Sequence, residues 1–157
     1  MVPLAFWGFL PGALLSDLDE QSRLLGGDGL VCRHALSDPR VADCRGGARD
    51  PGTGRPVELW LSAIDSVAGV LTISGVVTPE QLKGWRAALE GNYGLSGVSV
   101  QGAQRMLQWI RRGRMIRLTW RQQGNRIAAS VSLIDGAVLD GWGRDRQHSR
   151  DSAASAP

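Results

Sequence analysis

Alternating apolar and polar positions mark the second half of the chain. Every second side chain is apolar in residues 116–121, and residues 127–133 repeat the alternation. A period of two residues is typical of a half-buried strand, because successive side chains point to opposite faces of a sheet. The two segments are therefore predicted to be neighbouring strands joined by a turn at Gly124–Asn125.

An earlier pair of segments is also rich in β-branched and apolar residues. Residues 57–65 and 67–77 carry Val, Ile, Leu, Trp and Thr and meet at Asp65–Ser66. Two such runs separated by a tight polar turn predict a β-hairpin.

Residues 78–91 carry the clearest helical signal in the chain. Thr78 is a predicted N-cap, Pro79 suits the first helical position, and Gln81 completes a capping box. Gly91 is the predicted end of the helix. The apolar stripe of this helix consists of Leu82, Trp85 and Leu89.

Residues 99–112 fit two patterns. Apolar residues at helical spacing indicate a helix over 99–113, whereas alternation around Leu107 and Trp109 indicates a strand. We favour the strand, with a turn at Arg112–Gly113, because it gives three consecutive antiparallel strands.

These elements predict an α+β fold with the order β-β-α-β-β-β, in which an antiparallel sheet of about five strands packs on one main helix. Residues 1–15 form an apolar leader, and residues 16–55 an irregular, loop-rich extension with one short helix at 16–25. The α+β domain spans residues 56–143, and a flexible polar tail follows at 144–157. The outer face of the predicted sheet carries Arg117, Thr119, Arg121, Arg126, Ser130 and Ser132.

Charge is distributed unevenly along the chain. The net charge is +3, yet residues 91–134 contain seven arginines and no acid, whereas residues 1–65 carry nine acids and six arginines. The basic segment has three interpretations: a solvated or internally paired face, a surface for an acidic protein or anionic lipid, or a nucleic-acid site. The predicted partner-binding arginines are Arg111, Arg112, Arg114, Arg117, Arg121 and Arg126.

The leader is apolar from Val2 to Leu15, which is too short to span a bilayer as a helix. Phe6, Trp7 and Phe9 are the residues predicted to dock on a partner or at a membrane interface. Use as a secretory signal and packing on the protein's own core are the alternatives.

Cys32 and Cys44 are the only two cysteines, and they bound a segment with little periodicity. A disulfide between them would fit an oxidising compartment, and two free buried thiols are the alternative.

No motif for a particular chemistry stands out. The sequence has no phosphate-binding loop ending in Lys, no G-x-S-x-G elbow and no H-E-x-x-H pair. The acids Glu58, Asp65, Asp135 and Asp140 fall near strand ends, where acids commonly cap turns. We therefore predict no catalytic residues, no bound metal and no cofactor.

The favoured function is that of a non-enzymatic accessory or scaffold subunit. It would bind and stabilise a larger bacterial, membrane-associated protein complex through its apolar leader and basic sheet face, with anionic lipid as a further partner. The predicted location is extracytoplasmic (periplasmic) and peripheral to the membrane, with the cytoplasm as the alternative. A nucleic-acid-binding module that uses the Arg-rich hairpin 105–126 is the second hypothesis, and a small enzyme of unrecognised type is the third.

Overall fold

An antiparallel sheet of eight strands organises residues 3–154, the part of the chain that the computed structural model describes. Three helices accompany the sheet. In chain order the elements are α1 (Leu15–Leu24), β1 (Leu30–His34), β2 (Val41–Arg49), β3 (Pro56–Ile64), β4 (Val67–Val77), α2 (Pro79–Tyr93), β5 (Ser99–Gln101), β6 (Gln104–Arg111), β7 (Arg114–Gln123), β8 (Arg126–Asp135) and α3 (Gly136–Ala154).

The strand order is β1-β2-β3-β4-β8-β7-β6-β5. From either edge to the centre, the sheet therefore consists of four strands that follow one another in sequence. Each half of the chain contributes one helix followed by four antiparallel strands in sequence. The last strands of the two halves, β4 and β8, pair antiparallel at the centre, with Ile73 opposite Val131. The fold is therefore built from two helix-plus-meander units joined along one strand pair.

The prediction of about five strands on one main helix is wrong, because β1, β2 and β5 also belong to the sheet. Strands β1 and β2 lie in the segment expected to be an irregular loop. The buried positions of β2 are the small residues Ala42, Cys44 and Ala48, which give a weak apolar alternation. Backbone pairing with β3 along the whole of β2 holds this strand in place instead.

Helix α2 confirms the predicted N-cap at Thr78, but the Gln81 side chain donates to Asp50 and does not close the predicted capping box. The predicted apolar stripe packs on the sheet, with Leu82 only partly buried. The Thr78 hydroxyl oxygen accepts a hydrogen bond from the Gln81 backbone N–H at 3.1 Å, and Trp85 and Leu89 are buried. The helix continues past Gly91 to Tyr93 and ends where Gly94 adopts a φ of 87°. A positive φ is readily accessible to glycine, which makes Gly94 the stop.

The three predicted turns are all present. Asp65 and Ser66 have φ values of 50° and 68°, and Arg112 and Gly113 have values of 51° and 77°. Gly124, with φ 63°, makes the turn between β7 and β8. In the first two of these turns, positive φ at both central residues matches the right-handed twist of the flanking strands. The ambiguous residues 99–112 are strands, since β5 and β6 occupy them.

The leader packs on the protein's own core in this structure. Leu4, Phe6 and Phe9 are buried, and Phe6 stacks on Trp7 with ring centroids 4.5 Å apart. The Tyr93 hydroxyl accepts a hydrogen bond from the Ala5 backbone N–H at 2.7 Å, which fastens the leader to the end of α2.

Helix α3 follows β8 directly and runs to Ala154, so residues 144–154 of the expected tail are helical. Its residue Trp142 donates its indole N–H to Asp38 at 2.9 Å, which ties the helix to the loop before β2. The ends of the predicted leader and tail, residues 1–2 and 155–157, lie outside the described residues. None of the described helices combines the length and the apolar character needed to cross a bilayer.

Candidate functional site

The two faces of the sheet differ in what covers them. One face, the helix-bearing face, carries the buried side chains that pack against α1, α2 and the leader, such as Leu61, Ile73 and Leu118. The opposite face, called the outer face, carries mainly polar side chains that are half buried or exposed. Residues of the outer face include Glu58, Trp60, Thr72, Ser74, Arg117, Thr119, Arg121, Arg126, Ser130 and Ser132.

Hydroxyl pairs occupy the centre of the outer face. Thr72 on β4 lies opposite Ser132 on β8, and their hydroxyl oxygens are 3.0 Å apart. Thr119 on β7 lies opposite Ser130, with hydroxyl oxygens 2.7 Å apart. These cross-strand hydrogen bonds satisfy the hydroxyl groups without covering them.

An open groove of about 620 Å³ runs across the outer face beside these pairs. Its lining combines hydroxyl groups with apolar side chains, among them Trp120, and includes one acid and one arginine. The residues that line it include Glu58, Ser74, Val76, Gln104, Thr119 and Arg121. Such a groove suits an extended segment better than a compact small molecule, because it is open to solvent and does not enclose its occupant.

Arg117, Arg121 and Arg126 share the outer face, as the alternation of their strands predicts. Arg117 and Arg121 lie on β7 opposite Ser132 and Ala128 of β8, about 13 Å apart along the strand. None of these three arginines forms an ion pair with a side chain that the structure describes. The interpretation of this face as internally paired is therefore not supported.

Arg117 has unused hydrogen-bonding capacity. Its Nε is buried and has no acceptor among the described residues, and its Nη2 contacts only the Met115 sulfur, at 3.7 Å. A guanidinium that lacks carboxylate or carbonyl partners loses hydration without full compensation. An acceptor supplied by a bound partner would complete this arrangement.

Arg111, Arg112 and Arg114 do not join the outer-face arginines. Arg111 lies over the Tyr93 ring with its guanidinium carbon 5.2 Å from the ring centroid, and Arg114 Nε forms a 3.1 Å ion pair with Asp135. Both interactions are made at the end of the sheet, near the leader and the start of α3. The six predicted arginines thus form two separate groups.

The predicted docking aromatics of the leader are turned inward. Phe6 and Phe9 lie in the core, and Trp7 is half buried against Trp85, with ring centroids 5.4 Å apart. In this conformation Phe6 and Phe9 cannot contact a partner. Burial against the chain's own helix is the reason, and it corresponds to the alternative in which the leader completes the core.

The predicted disulfide between Cys32 and Cys44 is present and fastens edge strand β1 to β2. The two residues face each other in the register of the strand pair. Cys44 is fully buried and Cys32 is exposed, so the bridge anchors an exposed edge to the core.

Trp60 is an exposed aromatic residue of the outer face that the sequence analysis missed. It is 37% exposed and lies beside Thr72 of β4. The sequence contains a pattern that predicts this position. Val57, Leu59 and Leu61 are the inward-facing residues of β3, so Glu58 and Trp60 between them point to the outer face.

The four acids considered for catalysis are dispersed. Glu58 lies on the outer face, Asp65 pairs with Arg40, and Asp135 pairs with Arg114, while Asp140 lies on α3. In the described part of the chain, no group of three His, Cys, Asp or Glu side chains is placed to hold a metal ion.

Comparison with known proteins shows no matching family model, no similar curated protein and no similar solved structure.

Proposed function

We propose that the protein is a non-enzymatic binding subunit that uses its outer sheet face to bind an acidic segment of a partner protein. The observation that carries the proposal is the group Arg117, Arg121 and Arg126, which share one face and form no ion pair with any described side chain. An arginine group without internal partners favours an external anionic one.

The groove beside the arginines supports an extended protein segment as the ligand. Its hydroxyl groups can donate to backbone carbonyls, and Val76, 60% exposed, supplies apolar contact. Glu58 on β3, across the groove from Arg121, can accept hydrogen bonds from N–H groups of the same segment. This combination of charge, hydroxyl and apolar groups is typical of protein interfaces.

The leader has a structural role in this proposal. Because Phe6 and Phe9 lie in the core, they stabilise the helix-bearing face instead of anchoring the protein to a complex. The Cys32–Cys44 disulfide supports an extracytoplasmic location, since disulfides persist in oxidising compartments. We propose that the partner is found there, as part of an envelope-associated assembly.

The test uses fluorescence anisotropy with a labelled oligo-glutamate peptide and the 157-residue chain. We expect the peptide to bind the wild type. Its affinity for the double variant Arg121→Glu/Arg126→Glu should be lower by at least about tenfold, because glutamates on the protein repel the glutamates of the peptide. Both side chains are exposed, so the variant retains the fold.

The matched control is Lys83→Glu/Arg105→Glu, which changes the net charge by the same amount. Lys83 on α2 and Arg105 on β6 are exposed and lie away from the outer face. The control should bind the peptide within about twofold of the wild type, allowing for long-range screening at physiological salt. Equal losses in both variants would show a general charge effect and contradict the proposed surface.

A nucleic-acid partner is the second candidate, and Trp60 is the observation that favours it. Trp60 lies opposite Thr72, Thr72 lies opposite Ser132, and Ser132 lies opposite Arg117 on successive neighbouring strands. The outer face therefore carries both an aromatic ring and an arginine. Single strands bind surfaces of this kind by stacking and phosphate contacts. Tight binding of a labelled single-stranded oligonucleotide, weakened by Trp60→Ala and steeply dependent on salt, would establish this function in place of the first.

A further inference from the structure

A second cavity, separate from the outer face, lies where the leader meets the β6–β7 turn and the start of α3. Its volume is about 630 Å³. Leu4 and Pro3 of the leader and Ala137 of α3 form an apolar wall. The remaining lining residues are charged: Arg111, Arg112, Arg114 and Asp135.

One acid lies among three arginines in the lining of this cavity, so arginines outnumber acids there. Asp135 is 5% exposed and already has two partners: Oδ2 accepts from Arg114 Nε at 3.1 Å, and Oδ1 accepts from the Val138 backbone N–H at 3.1 Å. Asp135 therefore orients Arg114 and caps α3. Because Asp135 bonds the Nε of Arg114, the N–H groups of the two Nη atoms can donate hydrogen bonds to a ligand.

Arg112 occupies a backbone position that disfavours it. Its φ of 51° and the 77° of Gly113 define a two-residue turn in which Asn, Asp or Gly is preferred at the first position. Among the side chains that the structure describes, Arg112 has no ion-pair partner. A strained, unpaired arginine that lines a cavity is better explained by a ligand than by the needs of the turn.

We propose that this cavity binds a soluble small molecule carrying a phosphate monoester, held by Arg112 and Arg114 with Arg111 at the rim. A phosphate monoester carries a charge of about −2 at neutral pH, which suits a lining in which arginines outnumber acids. Arginine recognises such groups through paired N–H donors. The apolar wall of Leu4, Pro3 and Ala137 fits a compact apolar moiety attached to the phosphate.

The test is calorimetric titration of the full chain with phenyl phosphate at constant ionic strength. We expect saturable binding by the wild type and a loss of affinity of about tenfold or more in Arg112→Asn, since a charge-assisted hydrogen bond is removed. Asn is favoured at this turn position, so the thermal midpoint of Arg112→Asn should equal or exceed that of the wild type.

The matched control is Arg105→Gln, which removes one exposed arginine of β6 outside the cavity. Its affinity for phenyl phosphate should stay within about twofold of the wild type. Absence of binding by the wild type, or equal affinity in the wild type and Arg112→Asn, would overturn the proposal.

A phosphate monoester also occurs in the headgroup of phosphatidic acid, and a second arm separates the two sources. Phosphatidylcholine vesicles containing phosphatidic acid are mixed with the protein and sedimented. Failure of these vesicles to capture the protein, together with phenyl phosphate binding, supports the soluble ligand. Capture that Arg112→Asn abolishes, with no response to phenyl phosphate, overturns that assignment in favour of the lipid headgroup.

Discussion

Trp85 of α2 donates its indole N–H to Oδ2 of Asp50 at 2.9 Å, across 35 residues of sequence. The Gln81 side-chain amide donates to the same oxygen at 2.8 Å, and the Gly52 backbone N–H donates to Oδ1 at 2.8 Å. Asp50 lies directly after β2 and is 5% exposed. A single buried carboxylate thus joins the β2–β3 connection to the face of α2 that packs on the sheet.

We expect Asp50→Ala to lower the free energy of unfolding by at least about 2 kcal/mol. The substitution leaves the indole N–H of Trp85 and the amide of Gln81 buried without an acceptor. For a chain of this size the thermal midpoint should fall by about 4–8 °C. Differential scanning calorimetry checks the value, and a change below about 1 °C would show that Asp50 does not link the two elements.

The Asp50 carboxylate also predicts a pH dependence. Burial by itself raises the pKa of Asp50, but hydrogen bonds from Trp85, Gln81 and backbone N–H groups outweigh it and hold the pKa below its ordinary value of 3.8. Because folding lowers this pKa, the ionised carboxylate stabilises the fold at pH values above about 4. That contribution is lost as the pH falls through the folded-state pKa.

Asp50→Asn removes the titrating group and provides the test. The difference in unfolding free energy between wild type and Asp50→Asn should be largest at pH 6–7 and should shrink below about pH 4. Urea unfolding at a series of pH values measures it. A difference that stays constant down to pH 2 would mean that folding does not lower the pKa of Asp50.

The Cys32–Cys44 disulfide leads to a second stability prediction. By the loop-entropy model, a bridge closing a loop of this length stabilises the fold by roughly 3 kcal/mol. We expect Cys32→Ser/Cys44→Ala to lose about 2–3 kcal/mol in urea unfolding, with faster hydrogen exchange concentrated in edge strand β1. A reducing agent should destabilise the wild type equally and leave the double variant unchanged; a response of the variant would show that reduction acts elsewhere.

The elements predicted correctly are those with strong local patterns. Capping at Thr78, the stripe through Trp85 and Leu89, and the turn at Arg112–Gly113 all depend on residues close in sequence. Strands β1 and β2 were missed because their inward positions are small or exposed. Pairing of β1 with β2 and of β2 with β3 holds them in the sheet, instead of a periodic apolar face.

The alternation of apolar and polar residues was enough to predict that Arg117, Arg121 and Arg126 share the outer face. It did not predict that these three lie apart from Arg111, Arg112 and Arg114. That separation depends on Arg111 and Arg114 facing the helix-bearing side at the sheet end, where the leader and α3 meet. The roles of Asp50 and Asp135 depend equally on contacts between distant segments. Such contacts have no signature in a local window of sequence.

Phe9 tests whether the leader is part of the core in solution. It is fully buried, so Phe9→Ala should cost about 3–5 kcal/mol of unfolding free energy. Leu36→Ala is the control, because Leu36 is fully exposed and its removal should cost less than about 0.5 kcal/mol. If Phe9→Ala costs no more than Leu36→Ala, the leader is not held on the core and its aromatic residues are again free to bind a partner.

The turn at Asp65–Ser66 offers a stabilising substitution. Ser66 has a φ of 68°, a left-handed conformation that strains any residue with a Cβ, whereas an Asp-Gly pair is preferred in such turns. The Ser66 backbone carbonyl accepts a hydrogen bond from the Leu15 backbone N–H of α1, and glycine at position 66 retains that carbonyl. We therefore expect Ser66→Gly to raise the unfolding free energy by about 0.5–1 kcal/mol.

Ser66→Ala is the matched control, because it removes the same hydroxyl and keeps the strained Cβ. It should leave the stability within about 0.5 kcal/mol of the wild type, as measured by urea unfolding at neutral pH. Equal stabilisation by alanine and glycine would assign the effect to loss of the hydroxyl and would contradict backbone strain at Ser66. Stabilisation by glycine alone would show that this turn, like the one at Arg112–Gly113, carries strain that a local substitution relieves.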